Sequence, residues 1–491
     1  MAVSKPQTRV PVKRAGRPRR KVARVLLPLL ALILLLSGVI YYNTHKPLPA
    51  GLSVEGPVHR VKDIDFLYDL TYKQGGTEKQ EQSIYNRVFQ AVDEAEKFIV
   101  LDIFLFNEYY DHDQSFPPLS QTLTEKLIAR KKAVPGLQIV FITDEVNTTY
   151  GSHAAANLEQ LKANGIDTVI TDVDPLRDST PLYSGVWRTF LQWFGQAGDG
   201  WLKNPMADTA PKITVRSYMK LFNVKANHRK VIATDKTVII PSANAHDASA
   251  NHSNAALQVS GPLIADVLAS EQAAINLGGG PKVPAYTAEG KEEGDIRVQL
   301  LTEGGIYRQV LRSLDEAGAG DKVWMGMFYL ADREIIDGLL EASKRGAEVN
   351  LILDPNQNAF GRDKIGIPNR PVASELLDKS GGNIHVRWYN TGKEQYHTKL
   401  LFIDKPGGVV IHNGSANFTK RNLDDLNLET NLGVTAPKDS EVAGEVRRYF
   451  DRLWNNEGAE FTLDYEAYRD KTVPLKKAAY AVQTFLGFTT F

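Results

Sequence analysis

The 491-residue sequence contains no cysteine. That excludes disulfides and a lipid-modified cysteine, and it leaves the redox compartment open. Net charge is also missing, with 58 Lys and Arg against 58 Asp and Glu. The balance conceals an asymmetry: residues 1–24 hold nine Lys or Arg and no acid, so the remainder carries nine excess negative charges. The body therefore lacks the basic excess expected of a nucleic-acid binder, although a local groove could still be basic. Apolar residues (43%) and charged residues (24%) stand at globular levels, and the length suits two domains with full cores.

Charge is absent again from Val25 to Tyr42, a Leu-rich run of eighteen residues, long enough to span a membrane. The basic residues ahead of it predict a cytoplasmic N-terminus and an extracytoplasmic body. A cleaved signal peptide is the competing reading, but there is no clear A-x-A site. Tyr41 and Tyr42 fit an interfacial position.

What the chain does have is a stretch that occurs twice. The first copy runs from His228 through Lys230 to Asp235 and then to Ser242 and Asn244. The second runs from His397 through Lys399 to Asp404 and then to Ser415 and Asn417. Each is H-x-K-x4-D, a short apolar strand, and S-x-N. Strand side chains alternate, so His228 and Lys230 share a face, as do His397 and Lys399. The aspartates lie at odd parity from the histidines and need not face the same site. Turns follow at Asp235-Lys236 and Asp404–Gly408, and a second strand ends at each Ser and Asn. One hairpin thus presents an imidazole, an ammonium, a hydroxyl and an amide. This set suits a phosphoryl group: a nucleophile or acid, a cation, and neutral donors for the non-bridging oxygens.

These motifs resemble the paired HKD motifs of the phospholipase D superfamily, over about residues 60 to 460. The second copy also carries the longer pattern G-S-x-N…N-x-E, as Gly414, Ser415, Asn417, Asn427 and Glu429. The first copy departs from it: Pro241 replaces the Gly, and counting ten residues from Asn244 to Asn254 puts Ala256 where the acid would stand. Strands alternating with helices imply an α/β fold of two lobes with mixed β-sheets flanked by helices; the resemblance implies that the lobes are related by a pseudo-twofold axis, and the apolar run precedes them as one transmembrane helix.

The halves repeat other features in one order. Ile84, Val88 and Val92 recur as Ile306, Val310 and Leu314 on one helix face. Strands end at Asp144 and Asp354, each with a Gly seven residues on (Gly151, Gly361), and Val215–Tyr218 echoes Val386–Tyr389. Duplication is the economical explanation. The expected organisation is a basic tail (1–24), an anchor (25–42), a spacer (43–60), a first lobe (61–275), a linker (276–295), a second lobe (296–470) and a basic, aromatic tail (471–491). The first lobe carries an insertion at about 183–212, with half of the six Trp. Trp187, Phe190, Leu191 and Phe194 there fall on one helix face, which, with Trp193, reads either as packing on the lobe or as an element that dips into lipid near the site. Tyr480, Val482, Phe485, Leu486, Phe488 and Phe491 in the tail are a weaker echo.

The resemblance implies a two-step phosphoryl exchange. His228 attacks phosphorus and His397 protonates the leaving oxygen, then deprotonates water or an acceptor alcohol. Lys230, Lys399, Ser242, Asn244, Ser415 and Asn417 hold phosphate oxygens, and Glu429 orients an imidazole. Asp235 and Asp404 belong to the motif but read as structural. With Ala256 at the acid's place, Asp247 and Gln258 are the nearby candidates to hold the partner histidine. The scheme needs no cofactor and no metal; His246 and His252 read as loop residues, since no third ligand is evident. The expected enzyme is a phospholipase D or a phosphatidyltransferase of the cardiolipin synthase type, anchored in the cell membrane. Its partners are the phospholipid membrane, a phospholipid substrate and an alcohol or water acceptor. A nucleic-acid phosphodiesterase and an inactive scaffold of the same fold are the alternatives.

Overall fold

The computed structural model describes residues 19–111, 114–288, 293–359, 362–469 and 473–486. Gly361, the first eighteen residues of the basic tail, and Phe488 and Phe491 lie outside them. The first half contributes β1 (Glu55–Val61), β2 (Asp65–Gln74), β3 (Thr77–Glu81), β4 (Phe98–Ile103), β5 (Gln138–Asp144), β6 (Asp167–Thr171), β7 (Lys230–Thr234), β8 (Val238–Pro241) and β9 (Asn254–Val259). The second contributes β10 (Ile296–Thr302), β11 (Lys322–Met327), β12 (Glu348–Leu353), β13 (Asn358–Ala359), β14 (Arg362–Asp363), β15 (Ile384–Tyr389), β16 (Lys399–Lys405), β17 (Gly408–Gly414), β18 (Thr430–Ala436) and β19 (Thr462–Asp464).

Two mixed sheets result, ordered β3-β2-β9-β8-β7-β4-β5-β6 and β1-β10-β18-β17-β16-β11-β12-β15-β19. Seven strands correspond one to one, from β2 and β10 at one side to β6 and β15 at the other. In each sheet three strands run parallel (β4, β5, β6; β11, β12, β15), and the histidine hairpin (β7–β8; β16–β17) joins antiparallel.

The hairpin strands read as unbroken apolar runs because both their faces are buried. Val231 and Ala233, with Leu400 and Phe402, point into a central core shared by the two sheets. Ile232 faces the first lobe's outer core, and Leu401 and Ile403 face the second's. Helices Ile84–Glu94 and Gly304–Asp315 cover those outer faces with the expected stripes, Ile84, Val88 and Val92 on one and Ile306, Val310 and Leu314 on the other.

Three expectations on segment boundaries need correcting. The supposed spacer contains β1, which pairs with β10 and so belongs to the second lobe's sheet. Its polar composition and Pro57 suit an edge strand with a bulge, and the register shifts between Glu55 and Val58. Val215–Leu221 is a helix whereas Val386 lies in β15, so their shared letters are not a shared element; the true counterpart of β15 is β6. The insertion therefore fills the whole stretch from β6 to β7, not 183–212 alone.

Within that insertion helix Pro181–Val186 passes into a single π turn, Trp187–Leu191, closed by Gln192 N–H on the Trp187 carbonyl at 2.9 Å. The wider turn breaks the expected face. Trp187 is 1% exposed, which corrects its assignment as an access residue, while Phe190, Trp193 and Phe194 point outward at 46%, 73% and 59%.

The N-terminal helix runs Arg19–His45, and its stretch Arg24–His45 is long and apolar enough to cross a membrane. Its end rests on the insertion: a Cβ on Gly185 would lie 2.6 Å from Ile40, and Lys46 donates to the Asp174 carbonyl at 2.9 Å. At the other terminus, helix Val473–Leu486 is pinned by Tyr480, whose hydroxyl donates to the Ala331 carbonyl at 2.5 Å.

Candidate active site

Both histidines sit one strand-step before a buried hairpin, and each is fixed by the opposite half. His228 N–H donates to the Leu428 carbonyl (2.9 Å), and Leu428 N–H returns to the Ala226 carbonyl (3.0 Å). His397 N–H donates to the Ser253 carbonyl (2.8 Å), and Ser253 N–H returns to the Gln395 carbonyl (2.9 Å). The crossing extends to the side chains. Glu429 of the second half lies 2.9 Å from His228 Nδ1, and Asn254 of the first half accepts from His397 Nδ1 at 3.2 Å.

Backbone anchors repeat as well. Asp144, at the end of β5, accepts from Asn227 N–H (2.7 Å), and Asp354, just after β12, accepts from Tyr396 N–H (2.8 Å). Each thus holds the residue directly before a histidine. Burial pushes the Asp144 carboxyl up to about 8, helped by Glu145, and the Asp354 carboxyl up to about 7. The sequence marked both aspartates as strand ends without giving them this task.

The lysines return to their own loops: Lys230 Nζ donates to the His228 carbonyl (2.8 Å), and Lys399 Nζ to the His397 carbonyl (2.7 Å). A phenylalanine lies under each pair. Phe104 contacts His228 (centroids 4.7 Å apart) and Lys230 (5.2 Å), and Phe328 contacts His397 (5.1 Å) and Lys399 (5.2 Å). Sequence reasoning missed both, although each follows directly after the strand pairing with its hairpin.

The serines and asparagines divide between bracing and facing the site. Ser415 Oγ donates to Glu429, as does Asn422 Nδ2, so the carboxylate is fully engaged. Ser242 Oγ donates to Asn254 Oδ1 at 3.0 Å, the same bond in the other half. Asn244 Oδ1 accepts from Leu105 N–H at 3.4 Å, and Asn417 Oδ1 has no partner among the described residues. Arg229, between His228 and Lys230, is buried between Glu303 (2.7 Å) and Glu271 (3.1 Å). Glu303 also accepts Glu429 N–H at 3.0 Å and so braces that carboxylate's backbone.

Two halves with this shared order can be set beside known proteins. Residues 310–454 match the family model described as "Cardiolipin synthase, PLD-like domain". Phosphatidylserine synthase from Haemophilus influenzae Rd KW20 has the same fold: TM-score 0.56, 12% identity, 88% of this chain and 95% of that one covered. The second half thus carries a phospholipase D-like domain. The superfamily member Nuc from Salmonella typhimurium is 22% identical over 36% of this chain and 100% of its own, with a TM-score of 0.27. No curated protein matches the sequence.

Two features of the superfamily pattern are corrected by the geometry. Asp235 accepts from Glu96 and Lys97 N–H (2.9 and 3.1 Å), and Asp404 pairs with Arg447 (2.7 Å); both close the far ends of their hairpins and neither reaches a histidine. Parity foretold that. The second concerns the missing acid. Ser242 N–H meets the Ala255 carbonyl just as Ser415 N–H meets the Thr430 carbonyl, both at 2.9 Å, so Asn254 matches Glu429. The intervening loop is two residues shorter in the first half, and counting along the chain overshoots to Ala256. Asp247 and Gln258 are engaged elsewhere, with Ser120 and Arg87.

Electrostatically the site is short of protons. Burial holds His228 down at about 4, against the opposing pull of Glu429. Burial and then Lys399 hold His397 well below its usual range. Lys230 is lowered to about 7 by burial, and Lys399 falls well below its ordinary value through burial and then Lys230. A bound phosphate anion favours every charged form and raises all four. At pH 8 both imidazoles and most of Lys230 are neutral, so anion binding takes protons up. Inorganic phosphate binding, followed by calorimetry in buffers of different ionisation enthalpy at pH 8, is expected to show uptake of about one proton or more. Net release is the contrary result.

Proposed function

We propose that the chain is a phospholipid-acting phosphodiesterase or phosphatidyltransferase working through a phosphohistidine. The observation that carries this is the crossed imidazole pair, one ring on a carboxylate and the other on an amide. His228 Nε2 attacks phosphorus, the P–O bond to the alcohol breaks, and His397 gives its proton to that oxygen. Positive charge develops on the His228 ring, where Glu429 at Nδ1 stabilises it. His397 then takes a proton from water or an acceptor alcohol, whose oxygen displaces His228. Lys230, Lys399, Asn244 and Asn417 surround the phosphoryl oxygens in this scheme, while the Ser242 and Ser415 hydroxyls, expected there from the sequence, instead brace Asn254 and Glu429.

Phospholipid as substrate is supported by the matching family description and by the neighbour's name. It is supported too by where the apolar surface lies. Tyr41 and Tyr42 end the apolar helix, and the insertion packed against that end exposes Phe190, Trp193, Phe194 and Trp201. Aromatic residues at the end of a membrane span suit the lipid interface. We read the protein as single-pass, with the N-terminus cytoplasmic and the body extracytoplasmic, and we expect no nucleic-acid substrate.

The test is turnover of the full chain in mixed phospholipid micelles, with and without added alcohol, with products resolved by mass spectrometry. Phosphatidic acid plus free headgroup identifies a hydrolase; a new phosphatidyl-alcohol identifies a transferase. No lipid turnover under any of these conditions would sink the proposal.

A further inference from the structure

The pattern N-x-E of the second half, Asn427-Leu-Glu429, has as its structural match in the first half His252-Ser253-Asn254. Hydrogen bonds set the match. Asn427 Oδ1 accepts from Ala226 N–H at 3.0 Å, two residues before His228. His252 Nδ1 accepts from Gln395 N–H at 3.2 Å, two residues before His397. The first half has therefore put an imidazole where the second keeps an amide.

The bond also fixes the ring's proton. A nitrogen that accepts from a backbone N–H carries none, so the neutral ring is protonated at Nε2. Burial, His246 and Lys399 all keep the ring neutral. Nε2 has no partner among the described residues, yet it is not sealed in as His412 Nδ1 is. The ring centroid lies 5.8 Å from that of His397. His246, six residues earlier, differs: its two nitrogens are engaged by Ser249 (3.0 Å) and the Tyr109 carbonyl (2.9 Å). One open N–H donor thus stands beside the histidine that handles the alcohol.

We infer that His252 is a third imidazole of the reaction centre, whose Nε2–H donates to a second oxygen on the alcohol that His397 protonates and deprotonates. This rests on the phosphoryl-transfer reading above. His397 takes the proton of the reacting hydroxyl, and His252 holds the oxygen on the neighbouring carbon. Water and simple alcohols have no such oxygen. The ligand class is a vicinal polyol or a headgroup of that kind, and His252 sets the preference for it.

The experiment compares glycerol with 1-propanol as acceptors in phosphatidylglycerol micelles, using the native chain and His252→Asn. Asparagine keeps an acceptor for Gln395 N–H, as Asn427 does for Ala226. The native chain is expected to favour glycerol. The variant is expected to lose roughly ten-fold of that preference, the worth of one hydrogen bond, through a higher KM for glycerol, with propanol transfer changed far less than glycerol transfer. An unchanged preference, or an equal loss with both alcohols, overturns the inference while leaving the phosphoryl-transfer reading standing. No turnover by the native chain removes both. Should the variant not fold, the Nε2–H resonance of His252 in the native chain decides: it should shift on adding glycerol and not on adding 1-propanol, and no shift, or an equal shift with both, overturns the inference.

Discussion

Replacing His228 by alanine is expected to abolish turnover, by roughly 10⁴-fold or more, because in the proposed scheme its ring forms the covalent bond to phosphorus. His397→Ala is expected to fail equally on a phospholipid but differently on a phosphodiester with a nitrophenolate leaving group. That leaving group needs no proton, so the first step proceeds and the second stalls. Phosphohistidine should then accumulate at position 228 and be found there by peptide mass spectrometry of alkali-quenched enzyme. The same label on His397 in the His228→Ala protein would reverse the two roles.

The second large effect concerns what lies behind the rings. Glu429 is fully buried and accepts from Ser415 and Asn422 while holding His228 Nδ1. Glu429→Gln keeps the shape and removes the charge. A loss in kcat of roughly 10²–10⁴-fold is expected, the scale on which orienting carboxylates act on catalytic imidazoles. The converse change is Asn254→Asp, which puts a carboxylate 3.2 Å from His397, where an amide now stands. A carboxylate favours imidazolium, so the His397 pKa rises by about 1–3 units. An acid works only while protonated. The alkaline limb of the pH–rate profile should therefore move to higher pH. If His397 were instead the nucleophile, the acidic limb would move up and activity at neutral pH would fall. The direction of that movement separates the two assignments without any label.

How far the sequence reached depended on whether a feature repeats in the chain or arises across it. The helix stripes at Ile84, Val88, Val92 and Ile306, Val310, Leu314 follow from periodicity alone, and so does the shared face of each His and Lys. Both depend on local geometry that the chain carries wherever it folds. The odd parity of Asp235 and Asp404 already argued that they turn away. Asn254 was hidden for a different reason. Its equivalence to Glu429 is a matter of strand register, and a loop shortened by two residues is silent in a residue count. Trp187 was misplaced because a π turn is not visible in an α-helical wheel. Phe104 and Phe328 needed the pairing of β4 with β7 and of β11 with β16, contacts of long separation. The crossing of side chains between halves lies further out still: duplication implied two facing hairpins, but not that each would be oriented by its opposite.

That exchange has a historical meaning. In a symmetric dimer of one such half, every mutation is made twice and felt at both rings. A fused chain carries each position once. An ancestor obliged to keep identical supports under both imidazoles could not set a glutamate beneath one and an asparagine, with a neighbouring imidazole, beneath the other. In one polypeptide the two supports can differ, and because each half holds its neighbour's ring, a change written in the first half is read out at the second half's histidine.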